Sequence, residues 1–92
     1  MRNNSYLRQA VEGMDLPVEM LSKTPIVEVY GKHRVFIENH YGVMSYSGCE
    51  ISAKSKCGAI TICGRRLEIV KMTRFQLVIS GEIESVSFAS GR

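Results

Sequence analysis

Three cysteines and two histidines carry the most reactive side chains in this 92-residue sequence. Cys49, Cys57 and Cys63 lie eight and six residues apart, so no two of them form the C-x-x-C pair that is typical of zinc sites. His33 and His40 fall in a separate predicted hairpin, and no cysteine-hydrolase signature surrounds any of the five. The spacing favours reduced, packed thiols, and we expect neither a metal site nor a catalytic residue.

Motifs for phosphate and nucleic-acid binding are also missing from the sequence. No glycine-rich loop has the spacing of a nucleotide-binding motif. The run from Tyr30 to Phe36 alternates bases with aromatics, as nucleic-acid-binding sheets do, but Gly31 is expected to interrupt this strand with a turn. We therefore expect no cofactor, no nucleic-acid partner and no enzymatic activity.

The basic residues give one candidate site for an anionic surface. Arg65, Arg66 and Arg74 fall in or near predicted turns, where they could contact a lipid surface, a polyanion or a small ligand. The sequence contains 12 bases and 9 acids, a net charge of +3, and these charges are dispersed. A solvated surface is the simpler interpretation of the three arginines.

Composition indicates one small folded domain. The chain is 45% hydrophobic and 23% charged, which is typical of a globular protein. No apolar run approaches the ~18 residues that a membrane span needs, and the first residues lack the apolar core of a secretory signal. We expect a cytoplasmic protein without a transmembrane segment. Because small cores often depend on a partner subunit, docking or homo-oligomerisation is also expected.

The first 24 residues are predicted to be helical. Their apolar side chains recur at the three- and four-residue spacing of a helix. These residues are Tyr6, Leu7, Ala10, Val11 and Met14. Residues 1–24 are expected to pack on a β-domain formed by residues 25–92, so that the two make one compact unit.

Residues 25–92 alternate apolar and polar side chains in short runs, which predicts about eight antiparallel strands in a small β-sandwich or barrel-like sheet. The runs are Ile26–Tyr30, Arg34–Glu38, Val43–Tyr46, Glu50–Lys54, Ala59–Cys63, Leu67–Met72, Phe75–Ile79 and Ile83–Phe88. The predicted core residues are Val35, Ile37, Ile51, Ala53, Ile60, Ile62, Leu67, Ile69, Phe75, Leu77 and Ile79.

Three details refine this prediction. The alternation changes phase within 67–72 and within 83–88, which indicates a bulge in each. A faint repeat between 60–69 and 77–83 leaves a short β-solenoid as the alternative architecture. The runs 26–30 and 77–79 are apolar on both faces, so their outer face is expected to be covered by the helical segment or by another molecule.

Five segments together resemble a known family. They are Asp15-Leu16-Pro17, Pro25-Ile26-Val27, Ile37-Glu38-Asn39-His40-x-Gly42-Val43, Ile60-x-Ile62-x-Gly64-x-x-Leu67-Glu68-Ile69 and Ile79-x-Gly81-x-Ile83-x-x-Val86-x-Phe88. In this combination they are similar to the YabP/YqfC family of sporulation proteins, and closest to its YqfC branch.

The resemblance implies a small non-enzymatic protein of endospore-forming bacteria, made in the mother cell and needed for later steps of spore formation. It implies a sporulation membrane protein as a partner, and a location peripheral to the membrane around the forespore. The family supplies no catalytic residues. Our candidates for partner contact or a structural turn are Tyr30, Glu38, Asn39, His40 and Gly42. We expect an assembly or adaptor protein; the alternative is the ligand-, lipid- or polyanion-binding module that uses the basic turns.

Overall fold

The computed structural model describes residues 23–89, which form one open sheet of six antiparallel strands. The strands are β1 (Ile26–Tyr30), β2 (Arg34–Glu38), β3 (His40–Tyr46), β4 (Glu50–Ser55), β5 (Ile60–Met72) and β6 (Gln76–Phe88). Their order across the sheet is β1-β2-β6-β5-β4-β3, so that β1 and β3 are the edges. Strands β1 and β2 begin and end at the predicted residues.

The prediction of eight strands is wrong, because the last four predicted strands form only two. Strands β5 and β6 are each 13 residues long and pair with one another along one hairpin. The predicted breaks at Gly64 and Gly81 are bends inside these strands. The register of the β5–β6 pair shifts between Ile69 and Lys71, where β5 has one extra residue. It shifts again between Ile83 and Ser85, where the extra residue is in β6. These two shifts fall where the alternation changes phase, so the two predicted bulges are confirmed. A third shift, between Arg65 and Glu68, lies at the bend and was not predicted.

The bend depends on two glycines at which the strands approach closely. A Cβ atom on Gly64 would overlap the carbonyl oxygen of Glu82. Gly81 has a φ of +145°, and a Cβ there would lie 2.7 Å from the carbonyl oxygen of Arg66. Neither contact leaves room for a side chain, so both positions require glycine.

The bent hairpin lets the two halves of the sheet share one apolar core. The core residues are Val35, Ile37, Ile51, Ala53, Ile60, Ile62, Leu67, Leu77, Ile79 and Ile83, with Ile69 packed against them. All of these except Ile83 were predicted. Phe75 was predicted wrongly: it lies in the β5–β6 turn, before the first residue of β6, and is 61% exposed.

Two predictions remain: that another segment or molecule covers the outer face of the apolar runs, and that a β-solenoid is the alternative architecture. Val78 alternates with the core residues Leu77 and Ile79 and is itself buried, so this part of β6 is covered on both faces. The predicted helical cover, in residues 1–24, lies almost wholly outside the described residues. The β-solenoid is excluded, since every strand pair is antiparallel whereas solenoid coils stack in parallel.

Candidate functional site

The junction between β2 and β3 is a single residue, Asn39, with a φ of 67°. Its backbone N–H donates to the carbonyl oxygen of Phe75 at 2.6 Å, and its side-chain amide donates to the carbonyl oxygen of Thr24 at 3.0 Å. Among residues with a side chain, asparagine tolerates this left-handed conformation best. Asn39 therefore turns the chain and ties it to both the β5–β6 turn and the residues that precede β1.

His40 continues this network from a buried position, with 5% of its surface exposed. The backbone N–H of Gly42 donates to Nδ1 at 3.0 Å, and Nε2 lies 3.0 Å from the carbonyl oxygen of Thr73. A backbone N–H can only donate and a carbonyl can only accept, so the ring proton is on Nε2. Both ring nitrogens therefore have hydrogen-bond partners within the chain.

The structure brings four of the five candidate contact residues together and separates the fifth. Glu38, Asn39 and His40 lie beside the β5–β6 turn, with Gly42 hydrogen-bonded to the His40 ring. Tyr30 lies at the other end of β1, where its ring packs edge-on to the Phe36 ring with centroids 5.1 Å apart. The contacts of Asn39, His40 and Gly42 are those that a structural turn requires.

Two of the three candidate arginines are paired with acids across the bend. Arg65 lies 3.3 Å from a carboxylate oxygen of Glu82 and 3.6 Å from one of Glu84. Arg66, which has a φ of 56°, lies 4.0 Å from the other oxygen of Glu82. Their positive charge is largely offset within the molecule, which weakens the case for an anionic ligand at this position.

Arg74 lies far from this pair. It belongs to the β5–β6 turn, with its guanidinium 5.4 Å from the centre of the Phe75 ring. Arg65 pairs with Glu82 near the bend, on the order of 20 Å away along the strand at ~3.3 Å per residue. The three arginines therefore do not form one basic patch.

The described residues offer little that could hold a metal ion or a small ligand. A shallow cleft of about 410 Å³ is lined by Lys32, His33, Arg65, Glu82, Ile83 and Glu84, and its opposite charges balance. The three cysteines are free thiols. Between residues 23 and 89 no three histidine, cysteine or acidic side chains are grouped as metal ligands. No helix in that range has the length and hydropathy to cross a bilayer.

Strand β3 is distinguished by the absence of charge. Residues 39–49 contain no aspartate, glutamate, lysine or arginine, and β3 is the only strand of the described sheet without one of them. Tyr41, Met44 and Tyr46 are each more than half exposed on it; we call these three residues the edge surface. Edge strands usually carry charges that prevent pairing with other chains, so this uncharged edge is a candidate contact site.

Side chains, not a ladder of backbone bonds, hold β3 against β5. Besides the His40 contact with Thr73, the hydroxyl of Tyr46 accepts a hydrogen bond from the backbone N–H of Ile69 at 3.3 Å. Within the described sheet β3 pairs only with β4, and the register of this pair shifts on both sides of Val43. Its outer edge is thus fixed in place but has no strand partner in the described part of the chain.

Sequence reasoning missed the edge surface, although the signal was visible. The uncharged run from residue 39 to residue 49 is the longest between charged residues in the range 23–89. Alternation within that run predicts a strand but not whether the strand is central or at an edge. Its position in the sheet needed the strand order.

Comparison with known proteins gives the family. The sequence profile of the YabP family matches residues 22–92, which include all six strands. The chain belongs to the YabP family. It is also 23% identical over 87 residues to the uncharacterized protein YqfC of Bacillus subtilis (strain 168), an alignment that covers 95% of this chain and 94% of that relative. No solved structure matches the chain. The resemblance predicted from the five sequence segments is confirmed.

Proposed function

We propose that this member of the YabP family is a non-enzymatic assembly or adaptor protein of sporulation. It acts in the mother cell, at the membrane around the forespore, by docking on a membrane-protein partner or on further copies of itself. The observation that carries the proposal is the edge surface on β3. The resemblance to sporulation proteins supports the cellular setting.

The chemistry of the edge surface suits protein contact. An edge strand offers backbone N–H and C=O groups that a partner strand can pair with, while side chains add specificity. Tyrosine and methionine are enriched in protein interfaces, and charged residues are depleted in their cores. Tyr41, Met44 and Tyr46 supply the enriched types in a strand without charge.

The edge is also ordered before any partner arrives. Side-chain hydrogen bonds attach both ends of β3: His40 bonds to Thr73 in the β5–β6 turn, and Tyr46 bonds to Ile69 of β5. A surface that is fixed in advance loses less conformational entropy on binding, which favours affinity. The turn residues Asn39 and His40 therefore serve docking indirectly, by positioning β3.

The proposal can be tested with a charge placed on the edge. Met44→Lys adds a lysine to an exposed position of β3, which should prevent strand pairing without disturbing the core. Ser87→Lys adds the same charge to an exposed position of β6 and is the matched control. Each variant is purified with its partners from detergent-solubilised membranes of sporulating cells, so that bound lipid does not contribute.

The wild type and Ser87→Lys should both recover the same membrane protein, or the same oligomer, and Met44→Lys should lose it by at least tenfold. Equal recovery by Met44→Lys would contradict docking through the edge surface. Recovery of monomer alone with the wild type would contradict the adaptor function as a whole.

A further inference from the structure

The turns and loops of the described sheet cluster at two ends, which differ in charge. The first end contains the β1–β2 turn, the β3–β4 turn and the bend. Two backbone hydrogen bonds connect them: the N–H of Gly81 donates to the carbonyl oxygen of His33, and the N–H of Leu67 donates to that of Gly48. The second end contains the β2–β3 junction, the β4–β5 turn and the β5–β6 turn. The backbone N–H of Asn39 donates to the carbonyl oxygen of Phe75, and His40 is the strand partner of Ser55, the last residue of β4. We call the second the basic end.

Bases exceed acids at the basic end. Four bases lie within two residues of its turns, namely Lys54, Lys56, Lys71 and Arg74. A fifth, Lys23, adjoins Thr24, whose carbonyl oxygen accepts a hydrogen bond from Asn39. Glu38 is the one acid of the described chain placed there. At the first end four acids (Glu50, Glu68, Glu82 and Glu84) offset four bases (Lys32, Arg34, Arg65 and Arg66). The net positive charge of the described residues is therefore concentrated at one end.

Large apolar side chains are exposed among these bases. Met72 ends β5, Phe75 lies in the β5–β6 turn, and Phe88 ends β6 opposite Ile60. All three are more than half exposed. The guanidinium of Arg74 lies 5.4 Å from the centre of the Phe75 ring. Apolar tips beside bases are the arrangement found where proteins meet the interface of a membrane, because rings and stems enter the headgroup region while charges stay at its surface.

We propose that the basic end binds the surface of an anionic bilayer. Phe75, Met72 and Phe88 enter the headgroup region, and Lys54 and Arg74 contact the lipid phosphates and carboxylates. This site is distinct from the edge surface. Of the three arginines predicted from the sequence to contact an anionic surface, it includes only Arg74.

The distribution of the apolar residues favours a bilayer over an acidic protein. They lie at the last residue of β5, in the β5–β6 turn and at the last residue of β6, and so come from separate segments of the chain. A protein interface needs a contiguous, close-packed core, whereas a bilayer accepts separate side chains because its headgroup region adapts to each of them. The surplus of bases supplies attraction to the anionic lipids.

The test is sedimentation of the purified full chain with vesicles, either phosphatidylcholine alone or phosphatidylcholine with about one third phosphatidylglycerol. The double variant Lys54→Gln/Arg74→Gln removes two bases from the basic end. Arg65→Gln/Arg66→Gln removes two bases from the first end and is the matched control. Phe75→Ser probes the apolar contribution, and thermal unfolding of each variant verifies its fold.

The wild type should bind the anionic vesicles, prefer them to neutral ones, and release them as the salt concentration rises. A base near a membrane contributes roughly a fivefold change in affinity, so Lys54→Gln/Arg74→Gln should weaken binding about 25-fold and the control less than twofold. Phe75→Ser should weaken it severalfold at every salt concentration. Equal weakening by the control pair would overturn the assignment to the basic end.

Binding of a soluble acidic polypeptide in place of the vesicles would overturn the lipid surface in favour of an acidic protein. The assay contains no partner protein, and the docking experiment is done in detergent. Loss of vesicle binding therefore leaves the adaptor proposal standing, and loss of docking leaves the membrane proposal standing.

Discussion

Arginine has different neighbours at the two ends of the sheet. At the first end, Arg65 and Arg66 face Glu82 and Glu84, and the glycines of the bend bring backbones together. At the basic end, Arg74 lies over an exposed phenylalanine ring among further bases. The first end pairs its two bend arginines with acids of the same molecule and so serves the fold. The basic end leaves a charge surplus and apolar side chains for something outside it.

The largest effect is expected at the bend. Gly64→Ala places a Cβ against the carbonyl oxygen of Glu82. The clash is between two backbones, so it can be relieved only by moving β5 and β6 apart and breaking hydrogen bonds between them. We expect a loss of about 3 kcal/mol or more in the free energy of unfolding, measured by urea denaturation.

Gly48→Ala is the control for the bend, because a Cβ at Gly48 meets nothing within 4 Å. Its free energy of unfolding should change by less than about 0.5 kcal/mol. Similar stability of the Gly64 and Gly48 variants would show that the close approach of β5 and β6 does not hold the bend.

The next effect is expected at the β2–β3 junction. His40→Leu removes the acceptor of the Gly42 N–H and the donor to the Thr73 carbonyl. Leaving partly buried polar groups unpaired costs about 2 kcal/mol, and calorimetry should record a lower melting temperature. His33→Leu, at an exposed position, should leave the melting temperature nearly unchanged. An equal drop in both variants would show that the His40 hydrogen bonds to Gly42 and Thr73 do not stabilise the fold.

A smaller effect separates the two roles of Asn39. Both Asn39→Gly and Asn39→Ala lose the bond to Thr24, but only alanine must adopt a φ near 67° at a steric cost. The alanine variant should be less stable than the glycine variant by about 1 kcal/mol. Chemical denaturation of the two side by side measures the difference, and the reverse order would exclude backbone strain as the reason for asparagine.

The smallest effect is expected from the paired arginines. The side chain of Arg65 is 72% exposed and that of Glu82 is 48% exposed, so water and salt screen the pair. Arg65→Ala should lower the free energy of unfolding by less than about 1 kcal/mol, and less in 1 M salt. A loss that is larger and insensitive to salt would mean that Arg65 stabilises the bend by packing.

The sequence predicted the strands better than their connections. The alternation of apolar and polar residues gave the exact bounds of β1 and β2 and identified most of the core, because a buried face imposes a period of two on any strand. The sequence wrongly predicted that β5 and β6 are each interrupted, at Gly64 and Gly81. A glycine inside a strand, where a neighbouring backbone comes close, cannot be distinguished by residue type from a glycine in a turn between two strands.

The candidate site depended still more on register and strand order. The pairing of Arg65 with Glu82 joins residues that are distant in sequence, and no local pattern reveals it. Phe75 was predicted to be buried because it continues the alternation of Leu77 and Ile79, but the turn begins before it. The chemistry of Asn39 at a turn was predictable from its residue type; its bonds to Thr24 and Phe75 were not.

Hydrogen–deuterium exchange of the full chain, with and without anionic vesicles, compares the two ends most directly. The vesicles should slow amide exchange in residues 56–58 and 73–75, which form turns of the basic end. Exchange in residues 31–33 and 64–67 should stay unchanged. Slower exchange at the bend, or no change in either turn of the basic end when vesicles are bound, would contradict the division of the molecule into a structural end and a binding end.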